Sequence, residues 1–359
     1  MSNPSSSNHQ GIVGGVDTHK DLHFAAVVDA YDRVLSSNSF PTTRHGYKSM
    51  LNWMQSFGEV KRIGIECTGT YGVGLLRYLQ QFDIEILEVT APDKTIRRKR
   101  GKDDTIDAEN AAAAFAGIRT VTPKTRDGMV ESLRVLKMCR KTAIAARRIA
   151  LQMIQMNIIS APEAIRESLR TMTRMQLIRT LAAWRPDLSG YRDISTAYKI
   201  ALKSLARRYL ELHDEIADLD VMISVIVDEL APELITRKAI GYESAAQLLI
   251  TIGDNPERLK SEASFAALCD VNPIPASSGK VNRHRLNRGD DRAANSALHI
   301  IAIGRLRTDA KTKEYVEKRL TQGHTKLEAL RCLKRYIARE VYYTLRKRNN
   351  LINSAQIAA

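Results

Sequence analysis

Asp17, Glu66, Asp104 and Asp107 are the residues of this chain whose types and spacing could do chemistry together. Asp17 closes an apolar run, Gly11-IVGGV-Asp17, and Glu66 closes another, Arg62-IGI-Glu66. Asp104 and Asp107 stand three apart at the start of an alanine-rich stretch, Asp104-TIDAENAAAAFAG, so a helix there would project both from one face. Carboxylates at the ends of two neighbouring strands would point into one cleft with them. Four such groups repel one another unless a metal neutralises them, and such a cluster would hold a divalent metal against a phosphate backbone. A second use is open for the last pair. Asp104 can be an N-cap with Asp107 at N3, an acidic variant of the capping box. The two uses are compatible, because a capping carboxylate keeps lone pairs to spare.

Two basic segments stand close to chemistry of this kind. Lys94-TIRRKRGK carries six cations (Lys94, Arg97, Arg98, Lys99, Arg100 and Lys102) and no acid, directly before Asp104. Such a run would hold a phosphate strand over the acidic cluster, or else be a solvated loop. Further on, Ser277-Ser278-Gly279-Lys280 is followed by Arg283, His284, Arg285 and Arg288. A serine on a small flexible turn can approach phosphorus closely, and cations around it would stabilise the charge that develops. Ser-Ser-Gly is also ordinary turn chemistry. The segment is no P-loop, since Val281 stands where Ser or Thr is required. Gly72 and Gly74 lack the third glycine of a dinucleotide fingerprint. His19 and His23 are four apart on extended chain, which argues against a zinc pair.

The rest of the composition agrees with a polyanionic partner. Lys and Arg number 55 against 40 Asp and Glu, a formal charge of +15 with a pI near 9.7. Nucleic acid fits that balance better than anionic lipid. Cys67, Cys139, Cys269 and Cys332 are scattered without a CxxC pair, which points to reduced thiols in a cytoplasmic protein and away from structural zinc. No apolar run approaches the roughly 20 residues of a membrane span. MSNPSSSNHQ lacks the apolar core of a signal peptide and reads as a disordered lead-in.

The elements that must position these residues fall into three regions. From 11 to 126 the pattern is α/β: strands at Ile12–Val16, Leu22–Val28 and Val34–Phe40 form an antiparallel meander. A helix over His45–Phe57, a strand over Ile63–Cys67, a helix over Tyr71–Phe82 and a strand over Ile84–Val89 follow. Three strands and then helix–strand–helix–strand–helix is the order of an RNase H-like domain. From 127 to 237 the chain reads as helical. Tyr198, Leu202, Leu205, Tyr209, Leu212, Ile216, Leu219, Ile223, Ile226 and Leu230 alternate spacings of four and three, a coiled-coil seam. The helix from Ser132 to about Ser160 is one candidate partner and a second chain is the other, and Pro232 ends the run. From 238 to 348 short helices joined at glycine lead to the Ser278 loop and then to two helices spanning about Ala293–Leu345. Residues 1–10 and 349–359 read as tails.

VDTHK at Asp17, IECTGTYG at Glu66, RGKDDTIDAENAA at Asp104 and Asp107, and PASSGKVNRHRLNRGDDRAANSAL around Ser278 resemble the DEDD transposases of the insertion-sequence IS-110 family, closer to its IS-1111 subgroup. The similarity runs from about residue 11 to 345. It implies an RNase H-like (resolvase-like) N-terminal domain, a long helical coiled-coil middle and a mostly α-helical C-terminal transposase domain. The family's four metal-binding acids map to Asp17, Glu66, Asp104 and Asp107. Its catalytic serine maps to Ser278, with Ser277 one step away. The resemblance also implies Mg²⁺, an element-encoded guide (bridge) RNA that pairs with donor and target DNA, and a dimer-to-tetramer assembly in which acids and serine come from different protomers. Two other readings of the same residues remain. One is a metal-dependent junction nuclease in which water attacks, and the other is a non-enzymatic nucleic-acid-binding regulator.

Overall fold

The computed structural model describes residues 11–31, 33–89, 120–277, 284–287, 289 and 291–357, without the side chains of 257 and of 347–357. Asp104, Asp107, Ser278, the basic run Lys94 to Lys102, Lys280, Arg283 and Arg288 lie outside the described residues. The chain divides into two compact units. One comprises Met1–Gly128 with Ile252–Ser261, and the other Met129–Thr251 with Glu262–Ala359.

The first unit is a mixed sheet with helices packed on it. Its strands are β1 (Ile12–Thr18), β2 (Leu22–Val28), β3 (Val34–Pro41), β4 (Val60–Glu66), β5 (Glu85–Val89) and β6 (Thr120–Val121), and its helices are α1 (Arg44–Gln55) and α2 (Val73–Leu79). The spatial order is β3-β2-β1-β4-β5-β6. β1, β2 and β3 run antiparallel, whereas β4 lies parallel to β1 and β5 parallel to β4. β1 is buried almost throughout, as a central strand must be, while β3 is exposed at most positions, as an edge strand is. Met50, Leu51 and Met54 of α1 and Leu75 and Leu79 of α2 pack on Val16, Ala25, Val27, Ile63 and Ile65. α1 begins where Thr43 accepts a hydrogen bond from the Gly46 N–H (3.1 Å). A side chain at Gly46 would meet the Pro41 carbonyl oxygen at 2.0 Å, so this entry demands glycine.

A distant segment completes the same unit. The Asn255 amide donates to the Pro123 carbonyl (2.9 Å), and its side-chain oxygen accepts from the Thr125 N–H (3.3 Å). Nothing in the local pattern of 252–261 announces this, because the signal is one buried asparagine and its bonds to main chain.

The second unit is mainly helical. α3 (Met129–Ser160) and α6 (Ile194–Leu230) are its long members, with α4 (Glu163–Leu169) and α5 (Arg174–Ala183) between them. α3 and α6 lie antiparallel: Arg140 bonds Asp220, and Arg147 meets His213. The seam on α6 is shifted from the sequence expectation. Leu202, Tyr209, Ile216, Leu219 and Ile223 are buried, but Ala206 and Val227 are buried too, while Leu205, Leu212, Ile226 and Leu230 are only half-buried. A helix wedged between α3 and the short α5 buries a wider stripe than a strict two-helix seam. At that end of the pair Ile154, Ile165, Leu169, Ile178, Leu181 and Leu202 form one core.

Beyond α6 come α7 (Tyr242–Ile252), α8 (Glu262–Leu268), a two-stranded ribbon of β7 (Pro273–Pro275) and β8 (His284–Leu286), and then α9 (Arg292–Thr308), α10 (Ala310–Thr321) and α11 (Lys326–Ile357). The sequence suggested two closing helices and the structure has three. The break falls at Asp309, which ends α9 and caps α10 through the Thr312 N–H (3.1 Å). A carboxylate that satisfies free N–H groups favours a new start over continuation. Among the described residues, no helix is long and apolar enough to cross a membrane.

Candidate functional site

Asp17 and Glu66 stand at the ends of neighbouring parallel strands. β1 and β4 are in register up to Val16↔Ile65, so the two acids occupy the next step. Thr18 fixes that step by donating its hydroxyl to the Glu66 carbonyl (2.8 Å). In a parallel pair, residues in register share a face. Asp17 is buried and Glu66 half-buried.

Immediately after Glu66 the chain turns sharply, with Cys67 at φ 64°. This left-handed conformation is uncommon for a residue with a side chain, and such backbone strain concentrates at functional sites. Gly72 packs under the turn. A Cβ there would come within 2.8 Å of the Cys67 carbonyl oxygen and 3.0 Å of the Thr18 side chain. The sheet end is therefore held from both sides, by Thr18 and by the α2 entry.

His19 is a partner of this site that the strand pattern did not assign. Its Nε2 lies 3.1 Å from Asp17 Oδ2. The signal was available, because residues two apart on a strand share a face. The His19 N–H donates to His23 Nδ1 (3.3 Å), and the His23 ring is fully buried and stacked on Tyr47, with centroids 5.7 Å apart. Burial, aided by the nearby His19, pulls the His23 pKa down to about 4. His23 is thus neutral at pH 7, and its Nε2 is buried without a hydrogen-bond partner among the described residues.

Two of the four expected ligands thus lie at adjacent strand ends, and the other two lie outside the described residues. Among the described residues, no three His, Cys, Asp or Glu gather as a metal site would require. The donor chemistry at the sheet end is nonetheless that of a hard cation: two carboxylates, one of them buried. A divalent ion would be one counter-charge for such a pair, beside His19, which already lies against Asp17. Of the expected nucleic-acid contacts only Arg285 is described, and it stands exposed on β8.

The class is given by similarity to known proteins. A family model described as Transposase, of the IS110 DEDD type, matches residues 14–158, and one described as Transposase IS116/IS110/IS902 family matches residues 231–317. The chain belongs to the IS110 family of transposases. It is similar to the Insertion element IS110 uncharacterized 43.6 kDa protein of Streptomyces coelicolor, 26% identical over 134 residues. It is also similar to the Insertion element IS900 uncharacterized 42 kDa protein of Mycobacterium paratuberculosis, 25% identical over 134 residues. Each match covers 36% of this chain and 33% or 34% of the relative, so the chain spans about a third of the length of the curated relatives it matches.

Proposed function

We propose that the protein is the recombinase of an insertion element, guided by an element-encoded RNA, which cuts and rejoins donor and target DNA through a phosphoserine. The observation that carries this reading is the placement of Asp17 and Glu66 at adjacent parallel strand ends within the segment matched by the DEDD model. The sheet order β3-β2-β1-β4-β5, antiparallel on one side and parallel on the other, supports an RNase H-like first domain. The antiparallel α3–α6 pair supports a coiled-coil middle.

In the proposed reaction the Ser278 hydroxyl attacks a DNA phosphodiester. A serine Oγ–P bond forms, the P–O3′ bond breaks, and the serine proton passes to the departing 3′-oxygen. The products are a 5′-phosphoserine and a free 3′-hydroxyl. After strand exchange another 3′-hydroxyl attacks the phosphoserine and regenerates the serine, so bond energy is conserved and no nucleotide is consumed. Asp17, Glu66, Asp104 and Asp107 would hold Mg²⁺. When bound, the ion polarises the phosphoryl oxygen and offsets charge on the leaving oxygen, lowering the barrier by several kcal/mol. His19 orients the Asp17 carboxylate. The Lys94 to Lys102 run and Lys280, Arg283, Arg285 and Arg288 hold the DNA and RNA backbones. The acids of one protomer serve the serine of another in a dimer or tetramer.

A suicide DNA substrate tests this reading. Wild-type protein should form a covalent adduct that Ser278→Ala abolishes and Ser277→Ala preserves. An adduct that survives Ser278→Ala excludes the assignment. Cleaved DNA with free ends and no adduct would favour the junction nuclease instead.

A further inference from the structure

The second unit contains a cleft of about 890 Å³ formed by the β7–β8 ribbon, α8 and one face of α11. Its wall carries six lysines and arginines against three carboxylates. Two of those carboxylates are already engaged. Glu262 takes both arms of Arg335 (2.5 and 2.8 Å), and Glu328 accepts the Thr325 N–H (2.8 Å). Arg331, Arg335 and Arg339 follow one another at steps of four along α11, which sets them about 6 Å apart along one helix face. Cations so placed repel each other on a bare helix. Among the described residues, no carboxylate lies within ion-pair distance of Arg285, Arg331 or Arg339. Arg319 adds an Nε–H that is buried without a partner among the described residues.

The floor of the cleft is fixed. The Asn295 amide donates to the carbonyls of Cys269 (3.1 Å) and Asp270 (2.9 Å), and its oxygen accepts from Lys334 Nζ (2.8 Å). Burial first, and Arg331 second, hold Lys334 below the ordinary lysine range. Asp270, in the same wall, pulls the other way and offsets part of this.

Tyr336 distinguishes this cleft from a simple phosphate clamp. It lies between Arg335 and Arg339 in the lining, is 57% exposed, and is braced edge-on by Tyr315 with centroids 5.7 Å apart. An exposed aromatic ring in a cationic groove is a stacking platform for an unpaired base, whereas a duplex keeps its base faces covered.

We infer that this cleft holds an unpaired DNA strand, with Arg331, Arg339 and Lys334 along the phosphates and Tyr336 stacked under a base. The identity of the strand rests on the function proposed above: pairing of a guide RNA with one DNA strand releases the other, and β7 and β8 flank the segment that carries Ser278. These are positioning residues, and strand cleavage belongs to other groups.

The test uses the full chain in EDTA, so that binding is read without cleavage, by fluorescence anisotropy of a labelled 12-mer of dT. Tyr336→Ala should weaken dT binding about tenfold while leaving a blunt duplex of equal length within about twofold, and Tyr336→Phe should bind as wild type does. Arg331→Gln with Arg339→Gln should lower the slope of log K against log salt by about 1.4, roughly 0.7 for each single-strand phosphate contact. Arg207→Gln with Arg208→Gln, an exposed pair on α6, removes the same charge and should leave the slope nearly unchanged. Wild-type dT binding in both Tyr336→Ala and the α11 pair overturns the inference. So does an equal loss in the α6 pair, or a Tyr336 effect confined to a uridine 12-mer, which would give the cleft to RNA. Failure of the Ser278 adduct with these binding results intact would sink the phosphoserine mechanism alone.

Discussion

At the sheet end of the first unit, Asp17 sits buried on a central strand, beside the Thr18–Glu66 bond that ties β1 to β4 and the turn at Cys67 that only a glycine at position 72 leaves room for. In the cleft of the second unit, Arg331 and Arg339 stand exposed on a helix and reach their positions by period alone. The difference matches the roles proposed for the two sites. A chelating carboxylate has to be held to within a fraction of an ångström, and its desolvation is costly, so the surrounding main chain fixes it. A phosphate-tracking guanidinium works through a long side chain in water and needs only the correct face. Sensitivity to substitution should therefore be steep at the first site and graded at the second.

The steepest loss should come from Asp17→Asn, which keeps the shape and removes the charge. Adduct formation should fall by about 10³-fold with little change in dT binding. A fall of tenfold or less would place Asp17 among the graded contacts. His23 tests the rigidity of the same sheet end through pH. Its folded pKa, about 4, lies below the ordinary 6.5, so the unfolded chain takes up the proton more readily. The stability it contributes is complete above pH 6.5 and is lost as the pH falls toward 4, about 3 kcal/mol in all. Urea unfolding of wild type should show this loss between pH 7 and pH 4, and His23→Phe should lose correspondingly less. Parallel curves for the two proteins would show that His23 ionises freely.

Gly72→Ala should cost roughly 1 to 3 kcal/mol of stability and lower adduct formation by tens of fold, because the turn beneath Glu66 has to move. Restored activity at lower temperature would attribute the loss to folding alone. The smallest effect belongs to the second unit. Glu262→Gln should lower stability by about 1 kcal/mol, since both partners in its ion pair are partly exposed. The same change should tighten dT binding about twofold by removing a negative charge from the cleft. Weaker dT binding in this variant would mean that Glu262 positions Arg335 for the strand.

The first unit was largely legible in the sequence because its strands announce themselves by apolar runs ending at turns. β1 to β5 and α1 appear within a few residues of the expected bounds. α2 is shorter than expected at both ends: Tyr71 and Gly72 belong to the turn after Glu66, and the helix stops at Leu79 rather than Phe82. The periodicity of α6 was legible too, but not its burial: spacing reveals an apolar stripe without saying how wide a surface covers it, hence the burial of Ala206 and Val227. The pairing of His19 with Asp17 was readable from strand alternation. Asn255 was not, because its bonds reach main chain some 130 residues earlier. The α11 cleft was likewise beyond reach. Its arginines read as a solvated helix face until β7, β8 and α8 enclose them.

The central claim is that the strand-end carboxylates hold a divalent cation. Titration of Mn²⁺, followed by the loss of its free paramagnetic signal, tests this most directly and without DNA. Wild-type protein should bind saturably, and Asp17→Asn and Glu66→Gln should each weaken binding by at least about tenfold while keeping their cooperative thermal melts. Identical binding curves for wild type and both variants would contradict the account.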